Sequence, residues 1–148
     1  MASQLTGRVA LMSIHPVYAN AILCGDKKVE FRKRPLASDI THVLVYSTAP
    51  VSAVVVSFTV ASQHTSAPVN LWKRFGKVSG IPHRKFFDYY SSSALGTGIE
   101  AGMVFAPRQP LNLAASLGVQ RPPQSFPYLT PETAQSALDA MSPVGLIA

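Results

Sequence analysis

Residues 43–61, VLVYSTAPVSAVVVSFTVA, carry no charge over nineteen positions and constrain the fold more than any other stretch. A run of that length approaches a membrane span. Its composition is wrong for one, because valine, serine and threonine dominate, leucine occurs once and Pro50 interrupts the middle. β-Branched residues on both sides of a proline turn predict two strands instead, 43–47 and 52–61, joined at Ala49-Pro50. That connection is too short for a helical crossover, so the two strands pair antiparallel. No membrane partner is expected. The apolar run from Val9 to Ile14 is shorter than a signal core and follows Arg8 directly, so a cytoplasmic protein is the default expectation.

The remaining pattern places short elements around that hairpin. Residues 8–14 read as a buried strand. His15-Pro16 opens a helix with proline at its tolerated first position, with Val17, Tyr18, Ala21 and Ile22 as its apolar stripe and Gly25 as its stop. Residues 28–34 alternate, with Val29 and Phe31 on one face and Lys28, Glu30, Arg32 and Arg34 on the other. Helices follow at about 68–76 and 82–90, then a loop over 91–98, a strand over 99–106 and a short helix over 110–117. Residues 121–127 are an extended proline-rich segment, read as a strap with Phe126 and Tyr128 inserted. Thr130 caps a last helix with Pro131 and Glu132 in its first turn, and the final seven residues fray. About five strands and four or five short helices without strict alternation give an α+β fold, a mixed or mostly antiparallel sheet curling into a small barrel.

The chain has 148 residues, enough for one domain with its own core. An apolar content of 47% against 14% charged residues excludes disorder as the dominant state. Cys24 is the single cysteine, which excludes a disulfide framework and multi-cysteine zinc sites, and it reads as a buried structural thiol. His15, His42, His64 and His83 lack ligand spacing, so neither a metal centre nor a cofactor is expected. The net charge of +6 is concentrated: from Lys27 to Lys85 there are ten basic residues against Glu30 and Asp39. One basic cluster is Lys27, Lys28, Arg32, Lys33 and Arg34. The other is Lys73, Arg74, Lys77, Arg84 and Lys85, interleaved with Trp72, Phe75, Phe86, Phe87, Tyr89 and Tyr90. Basic groups neutralise phosphates and aromatic faces stack bases, so the imbalance points to an anion-binding face. Trp72 itself reads first as a core anchor.

The sharpest motif is Gly25-Asp26-Lys27-Lys28-Val29-Glu30-Phe31-Arg32, a glycine turn feeding straight into an alternating strand. It sets a cation, an anion and a cation beside the end of the first helix. On pattern alone the cluster is equally a ligand cradle, with proton transfer open to Lys27 or Glu30 if burial shifts them, or a surface ladder worth little in stability.

With Ser13-Ile14-His15-Pro16 before it and Tyr46-Ser47-Thr48-Ala49-Pro50 after it, this G-x-K-x-x-E-x-R motif resembles the ASCH domain, a branch of the PUA-like superfamily. Pro122-Pro123-Gln124-Ser125-Phe126 resembles a segment near the end of some members. The resemblance covers about residues 8–129 and leaves out the C-terminal helix and tail at 130–148. It implies a PUA-like barrel of five to six strands with flanking helices, binding RNA or a nucleotide-like ligand in a basic cleft at the motif. Lys27, Glu30 and Arg32 would form the floor, Ser13, His15, Tyr46 and Ser47 the rim, and Lys73, Arg74, Arg84 and Lys85 a phosphate-contacting wall. The alternative it implies is a small hydrolase, either a ribonuclease or an amidohydrolase on an N4-acylated cytidine, with Lys27 and Glu30 as catalytic pair. Amidohydrolase members carry a threonine where this chain has Glu30, and between Ser47 and Tyr90 the sole carboxylate is Asp88.

Overall fold

The computed structural model describes residues 5–123 and 126–144. Strand β1 (Arg8–Ile14) leads into helix α1 (Pro16–Cys24), followed by β2 (Val29–Arg32), β3 (Ile40–Ser47) and β4 (Ala53–Ser66). Helices α2 (Pro68–Phe75) and α3 (His83–Tyr89) come next, with a 3₁₀ turn at Gly76–Val78 between them. Strand β5 (Gly96–Pro107), a π-helical turn at Leu113–Leu117, helix α4 (Pro131–Asp139) and strand β6 (Met141–Pro143) complete the chain.

The strands form one mixed sheet in the order β1-β3-β4-β5-β2, with β6 added on β5. β1 and β3 are parallel, and every other pairing is antiparallel. The uncharged stretch is the β3–β4 hairpin, turning at a cis Ala49-Pro50 bond. Among the described residues no helix is long and apolar enough to cross a membrane. The sheet curls into a half-barrel, and its two end strands approach without backbone pairing. The outer edge of β1 is covered by the proline-rich segment, whose Pro127 carbonyl accepts from Leu11 N–H and whose Leu129 N–H donates to Val9. Edge groups left unpaired would invite aggregation.

Three apolar clusters fill the fold. Inside the curl lie Met12, Ile14, Ile22, Val43, Val45, Phe58 and Ile99. On the other face of β1 and β3, Leu11, Leu44 and Tyr46 pack against the π-helical turn and against Ala134, Ala137 and Leu138 of α4. The third cluster holds α2 and α3 against β2: Val29, Phe31, Leu71, Phe75, Phe86 and Tyr90. Period-two burial in β2, with Val29 and Phe31 inside and Glu30 and Arg32 turned away, is what the alternating sequence requires.

Several expectations change. The stripe of α1 is rotated, with Ala19 and Ile22 buried and Val17 71% exposed. Cys24, the last residue of α1, is exposed rather than buried, because it lies two residues on from Ile22 and so off the helix face that Ala19 and Ile22 bury. β5 starts at Gly96, inside the stretch read as a loop. A Cβ at Gly96 would lie 2.5 Å from the Tyr90 ring, so the glycine there permits close packing rather than a turn. Ser142 and Pro143, within the seven residues expected to fray, pair with Ala106 and Phe105 in a short strand that starts at Met141. In the strap, Phe126 packs on the inner cluster, whereas Tyr128 is 40% exposed and carries Arg8 over its ring. Gln124 and Ser125 lie outside the described residues.

Candidate functional site

The seam between the two end strands is the site. The chain leaves α1 through Gly25, whose positive φ of 86° gives the left-handed cap that returns the backbone beneath the helix. Asp26 and Lys27 N–H groups then donate to the Ala21 carbonyl, and Lys28 N–H donates to Val78. This fixes Lys27 between α1, β2 and the turn before α3. Gly80 approaches it so closely that a Cβ would sit 3.0 Å from that of Lys27.

Lys27 is 4% exposed, and it is the one buried charged residue among those described. Its ammonium donates to the Ser79 carbonyl at 2.6 Å and pairs with Glu30 Oε1 at 3.3 Å. The rings of Tyr18 and Phe31 lie 5.5 and 6.0 Å away. Burial pulls the lysine pKa down, and the Glu30 charge opposes that. The second oxygen, Glu30 Oε2, accepts from Arg32 Nε at 3.1 Å. Arg32 reaches across the seam to donate to the Ser13 carbonyl at 2.8 Å, so a side chain joins β2 to β1 where backbone pairing is missing. Tyr90 O–H donates to the Arg32 carbonyl at 2.7 Å and steadies the same residue from α3. The motif is therefore a ladder rooted on a buried lysine, with Glu30 and Arg32 partly buried, rather than a surface one.

The ladder floors a cleft of about 380 Å³, lined by Ser13, His15, Tyr18, Ile81, Lys85 and Tyr89 among others. Glu30 is the sole carboxylate among its lining residues, against Lys27, Arg32 and Lys85. Tyr89 is 39% exposed with the Lys33 ammonium 5.0 Å from its ring, and partial desolvation raises its phenol pKa further above neutrality. The cleft thus offers cations and proton donors, the rings of Tyr18, Phe31, Phe86 and Tyr89, and one carboxylate already engaged by both neighbours. Such a site can hold an anion and stabilise added negative charge. A route needing a second carboxylate has none in the lining.

Of the residues selected from sequence, Ser13, His15, Lys27, Glu30, Arg32 and Lys85 come together in this cleft. Tyr46 and Ser47 do not line it. Tyr46 is 5% exposed and packs toward α4, and Ser47 is buried at the end of β3. Lys73 and Arg84 are exposed on α2 and α3 outside the cleft, and Arg74 lines a different hollow. Trp72 is a half-buried packing residue, with its ring 5.0 Å from Phe86 and 5.3 Å from His83. Sequence reasoning missed the Ser79 carbonyl, which no side-chain pattern can reveal. It assigned Tyr18 to the helix stripe, and its spacing from Lys27 was the available signal. Among the described residues no cluster of His, Cys, Asp and Glu could hold a metal ion.

No protein-family profile matches the chain. Among curated proteins, it is 31% identical over 140 residues to an ASCH domain-containing ribonuclease of Zymomonas mobilis, covering 91% of this chain and 93% of that protein. It is 27% identical over 104 residues to the large ribosomal subunit protein uL22 of Ureaplasma parvum, spanning 70% of this chain but 33% of that protein. Among solved structures, the crystal structure of ASCH from Zymomonas mobilis matches with a TM-score of 0.78 at 27% identity, covering 92% of this chain and 97% of that one. A tyrosine-to-phenylalanine variant of that protein matches with a TM-score of 0.77 at 26% identity, covering 90% and 99%.

Proposed function

The chain belongs to the ASCH domain family, and from that premise we propose that it binds a single strand of RNA in the cleft at the β1–β2 seam and cleaves it there. The observation that carries this reading is the Lys27–Glu30–Arg32 ladder, rooted on a buried lysine, on the floor of a cleft that also holds His15 and Lys85. The relative named a ribonuclease, which matches nearly the whole chain, supports the cleaving arm of the reading.

A phosphodiester entering the cleft meets Lys85 at the exposed side and Arg32 and Lys27 at the floor. Glu30 holds both floor cations in place rather than receiving the reacting proton, because each of its oxygens already accepts from one of them. The RNA supplies its own nucleophile. The 2′-hydroxyl attacks the adjacent phosphorus, the O2′–P bond forms, and the P–O5′ bond breaks. The His15 imidazole takes the 2′-hydroxyl proton, and the Lys27 ammonium gives one to the departing O5′, with lowered lysine basicity favouring the transfer. Three cations offset the charge gathered on the equatorial phosphate oxygens. The products are a 2′,3′-cyclic phosphate end and a 5′-hydroxyl end.

The experiment is cleavage of an end-labelled single-stranded RNA alongside the same strand with one 2′-deoxy residue. Cleavage at every linkage except the one 3′ to the deoxy residue is expected. Lys85→Ala is expected to weaken binding and to reduce the slope of log affinity against log salt by about 0.7. Uncut RNA, or equal cleavage at the deoxy linkage, would overturn the proposal.

A further inference from the structure

A second hollow, of about 460 Å³, opens where β4 meets α2 and is lined by Gln63, His64, Thr65, Ser66, Asn70 and Arg74. It shares no lining residue with the cleft. We propose that this hollow is an oxyanion site for a phosphate group, held by Arg74, His64 and Asn70.

His64 sits on the outer face of β4 with its Nε2 2.8 Å from Ser62 Oγ and 3.5 Å from Glu100 Oε1. Ser62 O–H also donates to Glu100 at 2.7 Å. The ring packs 5.1 Å from Phe75 of α2, so one nitrogen is anchored and the imidazole plane is set. The Ser62 hydrogen is committed to Glu100, so Nε2–H is the donor to Ser62 Oγ. Nδ1 makes no hydrogen bond among the described residues, and it is the protonated ring that presents an Nδ1–H to an oxyanion. Arg74, one turn along α2 from Asn70, lies over the Phe75 ring at 5.2 Å. It is near enough to Glu100 to influence it but forms no ion pair with it among the described residues. A guanidinium resting near a ring, without a carboxylate partner among the described residues, keeps its fork of donors for an oxyanion. Asn70 spends one amide hydrogen on Ser66 Oγ at 3.2 Å and keeps the other. The single acid close by, Glu100, is engaged by Ser62 and His64, which limits its repulsion of an incoming anion.

The phosphate can come from two sources. One is the backbone of the strand already bound in the cleft, an arm that rests on the function proposed above. The other is free phosphate, which does not. Inorganic phosphate titrated into the wild-type protein, followed by the ring resonances of His64, tests the site itself. In parallel, the salt dependence of affinity for a twelve-nucleotide RNA is measured for wild type and Arg74→Gln. Arg74 is exposed, so its replacement is expected to leave folding intact, which thermal unfolding of the variant checks. Saturable shifts at His64 that vanish in Arg74→Gln, with a salt slope lower by about 0.7 in the variant, are expected for a backbone phosphate. Saturable shifts with an unchanged slope assign the hollow to free phosphate. Immobile His64 resonances together with an unchanged slope overturn the site. If wild type binds no RNA at all, the reading of the cleft fails and the phosphate titration still decides the hollow.

Discussion

A Glu30→Gln variant is expected to unfold with about 3 kcal/mol less stability than the parent, which lowers its melting point by roughly 10 °C. The substitution preserves shape and removes one charge. It leaves Lys27, 3% exposed at its side chain, and Arg32, 20% exposed, as adjacent cations with no anion between them. Removing one partner of a buried pair costs far more than the pair contributes, because the remaining charge stays desolvated. The deficit depends on pH in a stated direction. Burial already sets the folded-state pKa of Lys27 below its unfolded value, and Glu30 is the largest influence opposing that. Without Glu30 the folded pKa falls further. A lysine with a lowered folded pKa penalises folding while charged, and the penalty is relieved as pH rises through the folded pKa toward the unfolded one. The gap between variant and parent should therefore be widest near neutrality and narrow as the solution is made alkaline. Chemical denaturation of both proteins across that range checks it, and a gap that widens with pH would show that Lys27 is not the group left uncompensated.

Phe86→Ala should be the costliest single change on the outer side of the sheet, at about 3–5 kcal/mol. Phe86 is fully buried at the centre of the third cluster. Its ring stands 4.7 Å from Phe31, 4.8 Å from Phe87, 4.9 Å from Tyr90 and 5.0 Å from Trp72. Truncation leaves a cavity among rings that belong to three different elements, so no single movement closes it. The same helix carries Lys85 and Tyr89 into the cleft. RNA affinity should fall along with stability, whereas Lys85→Ala should lower affinity alone. Guanidinium unfolding paired with RNA titration separates the two, and a Phe86→Ala protein of unchanged stability would place the weight of the α3 packing elsewhere.

The parts of the fold set by local pattern were legible in the chain. Pro16 and Gly25 bracket α1, the valine-rich hairpin turns at Pro50, and the alternation at Val29–Arg32 fixes which side chains face the helices. What the sequence hid depends on contacts between distant segments. Gly96-Thr97-Gly98 has the composition of a loop, yet it is strand because Tyr90 needs bare backbone to pack against. Met141–Pro143 has no strand pattern and is held by its partner β5. The site divides in the same way. Lys27, Glu30 and Arg32 were readable as a ladder because their spacing is local, whereas the ladder's burial is not local. It depends on Ser79 and Gly80 arriving from the α2–α3 connection. The basic wall was readable as charge, but helix geometry separates its members, leaving Lys85 in the cleft and Arg74 in a separate hollow.

Lys27 acts in the proposed cleavage rather than merely bracing the cleft. The direct measurement is the rate of single-stranded RNA cleavage by the parent and by Lys27→Met, with thermal unfolding of both. Methionine replaces a buried ammonium by an apolar chain of similar length, and Glu30 keeps its contact with Arg32. The Ser79 carbonyl and Glu30 Oε1 lose their donor, so a loss of about 1–3 kcal/mol is expected and the rates are compared at a temperature where both proteins are folded. Cleavage should fall by about 100-fold or more, as removal of a group that stabilises transition-state charge does. A folded Lys27→Met protein that cleaves RNA at the parental rate would contradict the account.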